Sequence, residues 1–387
     1  LRSALRLAAR GRYRTSPNPM VGALIVRNGG RDGGRDGEVL GSGWHREVGG
    51  PHAEVEALRD AAGRGHDVRG ATLYVTLEPC AHFGRTPPCA DAVIAAGIAR
   101  VVACHADPDP RVAGGGFAKL RAAGIAVEVG TLAEEAVRLN LRFLVAATLR
   151  RPAVTLKWAM SLDGRIATAT GQSQWISSAA GRRWALALRE EHDATLVGSG
   201  TVLADDPRLD RRLGLAGRPG LRVVMDRRLR TGPEARLFTV AGQVLVYTQS
   251  GDAARCHSLE ERGAEVIVLP EAEPAAVLAD LYGRGVQSVL VEGGGEVLAS
   301  FAASGCWDRV GLDCAPLLIG GRGAPGPLGG EGFASLDHAA RLEHLEVHRR
   351  GGDAILTGYR QGCLGELLAR VSPPGQPAAD CVAAASP

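Results

Sequence analysis

Short apolar runs recur along the first part of the chain, alternating with segments whose apolar positions return every three or four residues. Residues 21–26, 71–77, 100–104 and 125–129 are predicted strands, and residues 52–62, 90–96 and 116–123 predicted helices. Ahead of them Leu1, Leu5, Ala8 and Ala9 mark one face of an opening helix. Strands and helices alternating at this spacing predict a three-layer α/β domain. Around residues 148–152 the pattern resets, with a proline after a basic pair and a new apolar run from Ala153. The expected domains are therefore 1–147 and 148–360. In the second, strands are predicted at 153–160, 194–199, 221–226, 244–248, 265–269, 286–291, 309–314 and 354–357. Beyond Gln361 the chain ends in PPGQPAADCVAAASP, and residues 361–387 are expected to form a mobile tail.

A length of 387 residues suits two cores better than one. Only 4% of residues are aromatic and the net charge of +3 is spread without a Lys/Arg block, so nucleic acid is not an expected partner. Apolar runs such as 21–26 are too short for a membrane span. The Arg-rich, acid-poor opening has the composition of a transit peptide, but a helix running straight into the fold is the better reading, and the expected compartment is cytoplasmic. The start at Leu1, with no initiator Met, suggests a clipped or mis-assigned start. The 53 glycines point to tight turns and backbone-lined sites, and the tract GGRDGGRDG at 29–37 is expected to enlarge a hairpin loop after the first strand. Of eight cysteines, Cys104, Cys306 and Cys314 lie in or beside apolar segments and read as buried fillers. Cys80 and Cys89 stand apart.

Three segments carry the strongest chemical signal: PHAEVEAL at 51–58, VTLEPC at 75–80 and GRTPPC at 84–89. One imidazole (His52) and two thiolates (Cys80, Cys89) make a three-ligand zinc site that leaves one coordination position for water, whose pKa then falls toward neutrality. Glu54, two residues past His52, reaches that water without being a ligand and can carry its proton to the departing amine. His52 and Cys89 each directly precede a predicted helix, where partial positive charge favours thiolate. A His-x-Glu element followed by Pro-Cys and a second Cys is the signature of zinc nucleobase deaminases. The second cysteine usually follows the first by three positions; here it follows by nine.

That long spacing, with NPMVGA at 18–23 and EPCAHFGRTPPC at 78–89, resembles the deaminase half of the bifunctional deaminase–reductase family of riboflavin biosynthesis. The resemblance implies a cytidine-deaminase-like α/β/α fold, Zn2+ held by His52, Cys80 and Cys89, Glu54 as catalytic acid–base, and Asn18 bonded to the substrate pyrimidine. Taken alone, Asn18 reads as a turn residue before Pro19. His82 is a ligand by chemistry alone and a loop residue by the family pattern; the family often has a second histidine where this chain has Phe83.

The second part carries LKWAMSLDGRIA at 156–167, GQSQWIS at 171–177, TVLADDPRL at 201–209 and VEGGGEVLAS at 291–300. Gly293, Gly294 and Gly295 follow a predicted strand and open a helix, so their N–H groups can face a pyrophosphate; the spacing is not the Rossmann fingerprint. This set resembles the reductase of the same family, with a dihydrofolate-reductase-like α/β fold. It implies NADPH contacts at Met160, Trp175, Thr201, Asp205, Arg227 and the stretch Gly294, Gly295, Glu296, Val297, Leu298, Ala299 and Ser300. Ser173, Arg189, Leu209, Arg212 and Glu292 are implied to hold the substrate with its ribose phosphate, guanidinium forks suiting phosphate oxygens. Glu292 and Lys157 are both candidates to protonate the ring-opened imine. Asp226 is expected beside the adenosine ribose; Arg227 replaces the small hydroxyl residue common there and, with Arg228 and Arg230 near, suits a 2′-phosphate.

The implied substrate is a small pyrimidine ribose phosphate, and a homo-oligomer is expected. Two rivals remain: a tRNA or free-nucleobase deaminase with an unrelated appendage, and a structural zinc module with a nucleotide-sensing domain. Glu54 separates the last from an enzyme, because a structural metal has no use for an acid two residues from its histidine.

Overall fold

The computed structural model describes residues 1–27, 37–81, 87–109 and 113–372. The chain divides into two compact units, Leu1–Leu149 together with Leu364–Pro387, and Arg150–Cys363. The change falls two residues beyond the expected boundary at 147.

The first unit runs α1 (Arg2–Ala8), β1 (Gly22–Arg27), β2 (Glu38–Trp44), α2 (Ala53–Gly63), β3 (Thr72–Val75), α3 (Cys89–Ala95), β4 (Arg100–Ala103), α4 (Gly115–Ala122), β5 (Ala126–Val129), α5 (Ala133–Leu139) and α6 (Leu141–Leu149). Its five-stranded sheet has the order β2-β1-β3-β4-β5. β1 is antiparallel to β2 and β3, while β3, β4 and β5 are parallel. Small residues let helices lie directly on this sheet. A Cβ on Gly22 would sit 2.1 Å from Ala4 O of α1, and one on Gly43 would sit 2.4 Å from Ala53 O of α2. Gly43 pairs with Ala23, the neighbour of Gly22, so these contacts fall on opposite faces and α1 and α2 cover the two sides. This is the predicted three-layer arrangement.

β2 was not among the predicted strands. Its sequence EVLGSGW spends two positions on glycine, which weakens the strand pattern; those glycines admit the buried alanine stripe Ala53, Ala57 and Ala61 of α2. The tract at 29–37 joins β1 to β2, which are antiparallel neighbours, but all of it except Gly37 lies outside the described residues.

The second unit runs β6 (Ala153–Ser161), α7 (Ala179–Glu191), β7 (Ala194–Gly198), α8 (Ser199–Asp205), β8 (Leu221–Met225), β9 (Val244–Thr248), α9 (Ala253–Glu260), β10 (Ala264–Val268), α10 (Pro274–Gly283), β11 (Ser288–Val291), α11 (Gly295–Ser304), β12 (Arg309–Ala315), β13 (Leu342–Arg350) and β14 (Asp353–Arg360). The sheet order is β10-β9-β8-β7-β11-β6-β12-β14-β13. Strands from β10 through β12 are parallel, and β14 and β13 close the edge antiparallel. β7, β9 and β11 are buried along their whole length, as continuous apolar runs in a parallel sheet require. β13, missed in the sequence pattern, is an exposed edge strand reading LEHLEVHRR.

The expected mobile tail needs correction at its start. Cys363–Val371 forms helix α12, in which Leu364, Leu367 and Val371 are buried, and Val371 O accepts from Ala106 N at 3.0 Å. Apolar positions at 364, 367 and 371 hold one helical face, a signal too short to stand out beside the proline-rich end. Of the expected fillers, Cys104 is buried while Cys306 and Cys314 are half-buried. Among the described residues no helix is long and apolar enough to cross a membrane.

Candidate active sites in the two units

In the first unit the metal signature converges. His52 is the residue before α2, with extended backbone (φ −74°, ψ 161°), and Cys89 is the first residue of α3. Cys80 follows β3 in the loop between them. His52 Nδ1 lies 3.2 Å from Cys89 Sγ and 3.6 Å from Cys80 Sγ, and all three ligand atoms lie within 4.8 Å of one another. The Cys89 backbone N–H donates to Cys80 Sγ at 3.3 Å, and Ala90 N donates to Cys80 O at 3.1 Å.

The electrostatics favour a thiolate. The hydrogen bond from Cys89, and then that from His52, overcome burial and hold the Cys80 thiol well below its ordinary range. The Cys89 thiol moves the other way, because it shares its proton with Cys80 and is buried. The hydrogen bond to Cys80 raises the His52 imidazole. One nitrogen and two sulfurs converging with this chemistry fit a zinc ion with a coordination position left open.

Glu54, in the first turn of α2, is 3% exposed, and burial pushes its carboxyl up to about 7 against the pull of His52. Asn18 reaches the centre through an intermediate that the sequence reading missed. His45 Nδ1 lies 3.0 Å from Pro51 O, a pure acceptor, so Nδ1 carries the proton; Nε2 then accepts from Asn18 Nδ2 at 3.1 Å. The Asn18 carbonyl oxygen is thereby aimed away from His45. The His45 and His52 rings meet edge to face at 5.7 Å. His82 and Phe83 lie outside the described residues.

In the second unit Met160 lies near the end of β6, Thr201 and Asp205 lie in α8 after β7, Arg227 follows β8, Glu292 and Gly294 follow β11, and Arg189 lies in α7. Gly294 has φ +71° and ψ 128°, a conformation open essentially to glycine, and no side chain caps the first turn of α11. A Cβ on Gly293 would meet Thr201 Oγ1 at 2.8 Å, which places the Thr201 hydroxyl beside this turn. Ser173 Oγ donates to Asp205 Oδ1 at 2.9 Å. Trp175 is 69% exposed and stacks on the Arg182 guanidinium at 4.5 Å, and Met160 lies in β6 opposite Cys314 of β12. Within α11, Leu298 is buried in the core and Ser300 Oγ donates to Val297 O, while Glu296 Oε1 accepts from Gly330 N. The stretch 294–300 therefore offers a ligand its backbone N–H groups more than those side chains. An open glycine turn with a hydroxyl beside it fits a dinucleotide phosphate.

The expected substrate arginines are placed differently from each other. Arg212 is exposed and pairs with Asp210 at 2.7 Å, next to Leu209, which is buried with φ +54°. Arg189 instead clamps Glu292 with both arms, at 2.6 and 2.8 Å, and Lys157 Nζ stands 3.9 Å from the same carboxylate. Burial pushes Glu292 up, but Arg189 and Lys157 outweigh it and hold it at about 2. A carboxylate so stabilised does not donate a proton near neutrality, which corrects the expectation that Glu292 protonates the imine. Asp226 also departs from expectation: it is fully buried and its Oδ2 accepts from Thr231 N at 2.7 Å, so it closes a turn rather than facing a ribose. Arg227 and Arg228 are exposed beside it, and Arg230 donates to Ser199 Oγ at 2.9 Å.

Together these features define a zinc nucleobase deaminase joined to a pyridine-nucleotide reductase. Residues 1–105 match the cytidine and deoxycytidylate deaminase zinc-binding region, and residues 152–356 match the RibD C-terminal domain. The riboflavin biosynthesis protein RibD of Synechocystis is 41% identical over 364 residues, covering 94% of this chain and 96% of that protein; its Aquifex aeolicus relative is 39% identical over 356 residues, covering 92% and 96%. Acinetobacter baumannii RibD superimposes with a TM-score of 0.79 at 35% identity, covering 93% of this chain and 97% of that one. The Thermotoga maritima diaminohydroxyphosphoribosylaminopyrimidine deaminase/5-amino-6-(5-phosphoribosylamino)uracil reductase does so with a TM-score of 0.79 at 36% identity and the same coverage. The chain belongs to the RibD family of riboflavin biosynthesis, as a zinc-dependent deaminase and NADPH-dependent reductase in one polypeptide.

Proposed function

We propose that the first unit hydrolyses the 2-amino group of 2,5-diamino-6-(5-phosphoribosylamino)pyrimidin-4-one, and that the second reduces the ribosylamino group of the product to ribitylamino. The observation that carries this reading is the buried Glu54 carboxyl standing two residues from a His52–Cys80–Cys89 cluster. In it His52, Cys80 and Cys89 would hold zinc, which when bound would supply an activated water. Glu54 would carry one proton of that water to the ring nitrogen and then the remaining hydroxyl proton to the amine, so that the C2–N bond breaks, ammonia leaves and a carbonyl remains. Asn18, oriented through His45, accepts from an N–H of the pyrimidine.

In the second unit the turn at Gly294–Gly295 and the first N–H groups of α11 would hold the pyrophosphate of NADPH, and Thr201, Asp205 and Trp175 would help bind the cofactor, which when bound would supply a hydride. Met160 and residues 296–300 would line the cofactor's site, and Arg227 would take its 2′-phosphate. Ser173, Leu209 and Arg212 take the ribose phosphate, and Arg189 orients Glu292 toward the sugar. Ring opening breaks C1′–O4′ as the exocyclic N–H proton passes to O4′, leaving a C1′=N imine and a 4′-hydroxyl; bound NADPH would supply the hydride for C1′, and a proton adds to nitrogen. Lys157 is the proton donor. The enzyme acts in the cytoplasm as a homo-oligomer on a small molecule, not on nucleic acid, consistent with the low aromatic content and evenly spread charge.

A coupled assay tests the reading. Given the diaminopyrimidine ribose phosphate, the protein should release one ammonia and then oxidise one NADPH per substrate. Turnover of tRNA or free cytosine in its place would favour an editing or salvage deaminase, and neither signal would favour a sensor.

A further inference from the structure

Two glycine triads precede helices in this chain. At Gly293–Gly295 the N-cap is Gly294, which has no side chain to cap the helix, whereas at Gly114–Gly116 the amides of Gly114, Gly116 and Phe117 are held by one distant carboxylate. Their acceptor is Glu78, which is 3% exposed. Its Oε1 accepts from Gly116 N at 2.9 Å and Phe117 N at 3.2 Å; its Oε2 accepts from Gly114 N and Asp107 N, both at 3.0 Å. Four donors fill the lone-pair sites of a carboxylate, so Glu78 has no capacity left for substrate or metal.

Glu78 lies two residues before Cys80, and the contact continues along the chain. A Cβ on Gly116 would sit 1.9 Å from Pro79 O, so the α4 backbone rests directly against the residue preceding Cys80. The same helix reaches the other sulfur's segment, where Lys119 Nζ pairs with Asp91 Oδ1 of α3 at 2.6 Å. α3 begins at Cys89, whose N–H donates to Cys80 Sγ.

We infer that Glu78 is a positioning residue of the metal centre: its carboxylate, seated in the amide turn of α4, fixes the Pro79–Cys80 backbone so that the two sulfurs and His52 stay at ligating distance. The inference rests on the reading of His52, Cys80 and Cys89 as metal ligands. In Glu78→Gln one acceptor oxygen becomes an NH2 group facing backbone N–H donors, so at least one amide of the turn is lost, while Glu78→Asp keeps the charge and shortens the reach.

The test compares zinc affinity of the full chain and both variants by competition with a chelating dye, with the cobalt-substituted absorption spectrum as a second readout. Glu78→Gln is expected to bind zinc roughly 10- to 100-fold more weakly, the range of lost outer-shell partners. Its thiolate–cobalt bands should shift, NADPH oxidation by the second unit on deaminated substrate should not change, and Glu78→Asp should fall between. Zinc affinity within twofold of the unaltered chain in both variants, with unshifted cobalt bands, overturns the inference and leaves the ligand assignment standing. An unaltered chain that binds no zinc overturns both. Should Glu78→Gln fail to fold, Glu78→Asp decides alone, by the same twofold criterion.

Discussion

Arg189 and Glu292 face each other as a two-armed ion pair, Nε to Oε1 at 2.6 Å and Nη2 to Oε2 at 2.8 Å, with their side chains 13% and 7% exposed. Arg189 lies in α7 and Glu292 follows β11, so the pair ties helix to sheet. Removing one partner strands a buried charge, which costs about 3–5 kcal/mol. Arg189→Met and Glu292→Gln should therefore each unfold the unit at lower urea, the first leaving a buried carboxylate and the second a buried guanidinium without its counter-charge, and both should raise the Michaelis constant for the reductase substrate.

The pair also gives a pH signature. Glu292 is held at about 2, below its ordinary 4.5, so the stability it contributes is present above about pH 4.5 and is lost as pH falls toward 2. At roughly 1.4 kcal/mol per pKa unit the full loss amounts to about 3 kcal/mol. Urea midpoints of the second unit between pH 5 and 3 should fall in the native chain and fall less in Glu292→Gln.

Asp313 and Asp353 give the opposite slope. Both are buried around the start of α7, where a Cβ on Gly181 would meet Asp313 Oδ2 at 2.1 Å and Asp353 Oδ2 at 2.4 Å. Burial, and then the charge of Asp353, raise Asp313 to about 6. A raised carboxyl stabilises the fold in its protonated form, so its contribution is full below about pH 4 and is lost as pH rises through 6. Asp313→Asn should remove that slope and make the second unit more stable than the native chain at pH 8, read by urea unfolding.

Glu54→Gln should abolish ammonia release, by roughly 100- to 10,000-fold, without loss of zinc or of NADPH oxidation on deaminated substrate. Ammonia release within a few-fold of the native rate would remove Glu54 from the proton path.

The cofactor assignments separate by ligand. Gly294→Ala forces a side chain into φ +71°, a cost of about 1–3 kcal/mol, and should weaken NADPH and NADH alike about tenfold or more. Arg227→Ala should weaken NADPH and 2′-phospho-ADP-ribose while leaving NADH unchanged, measured by calorimetry. Equal effects on both nucleotides would detach Arg227 from the 2′-phosphate.

Much of this molecule is legible in the chain because its chemistry is local in sequence. His52 and Glu54 sit on one helix start, and Cys80 and Cys89 stand nine positions apart in Pro-Cys pairs, so their types and spacing signal the site before any fold is known. The parallel strands of the second unit are legible for a related reason, since burial on both faces demands unbroken apolar runs such as β9. Elements that answer to a distant partner are not. β2 carries glycine at 41 and 43 only because α2 lies against it, and α12 has its apolar face because of the unit it rejoins. Glu78 looks like an ordinary acid until four amides from 29 to 39 residues away are found on it. Arg189 is likewise ambiguous in sequence, because a guanidinium suits a phosphate and a carboxylate equally well.

Metal content and the two activities, followed in one preparation before and after chelation, test the central claim most directly. The account predicts one zinc per chain, loss of ammonia release as zinc is withdrawn, its return on adding zinc back, and undisturbed NADPH oxidation on deaminated substrate throughout. Full ammonia release from protein stripped of metal would contradict it.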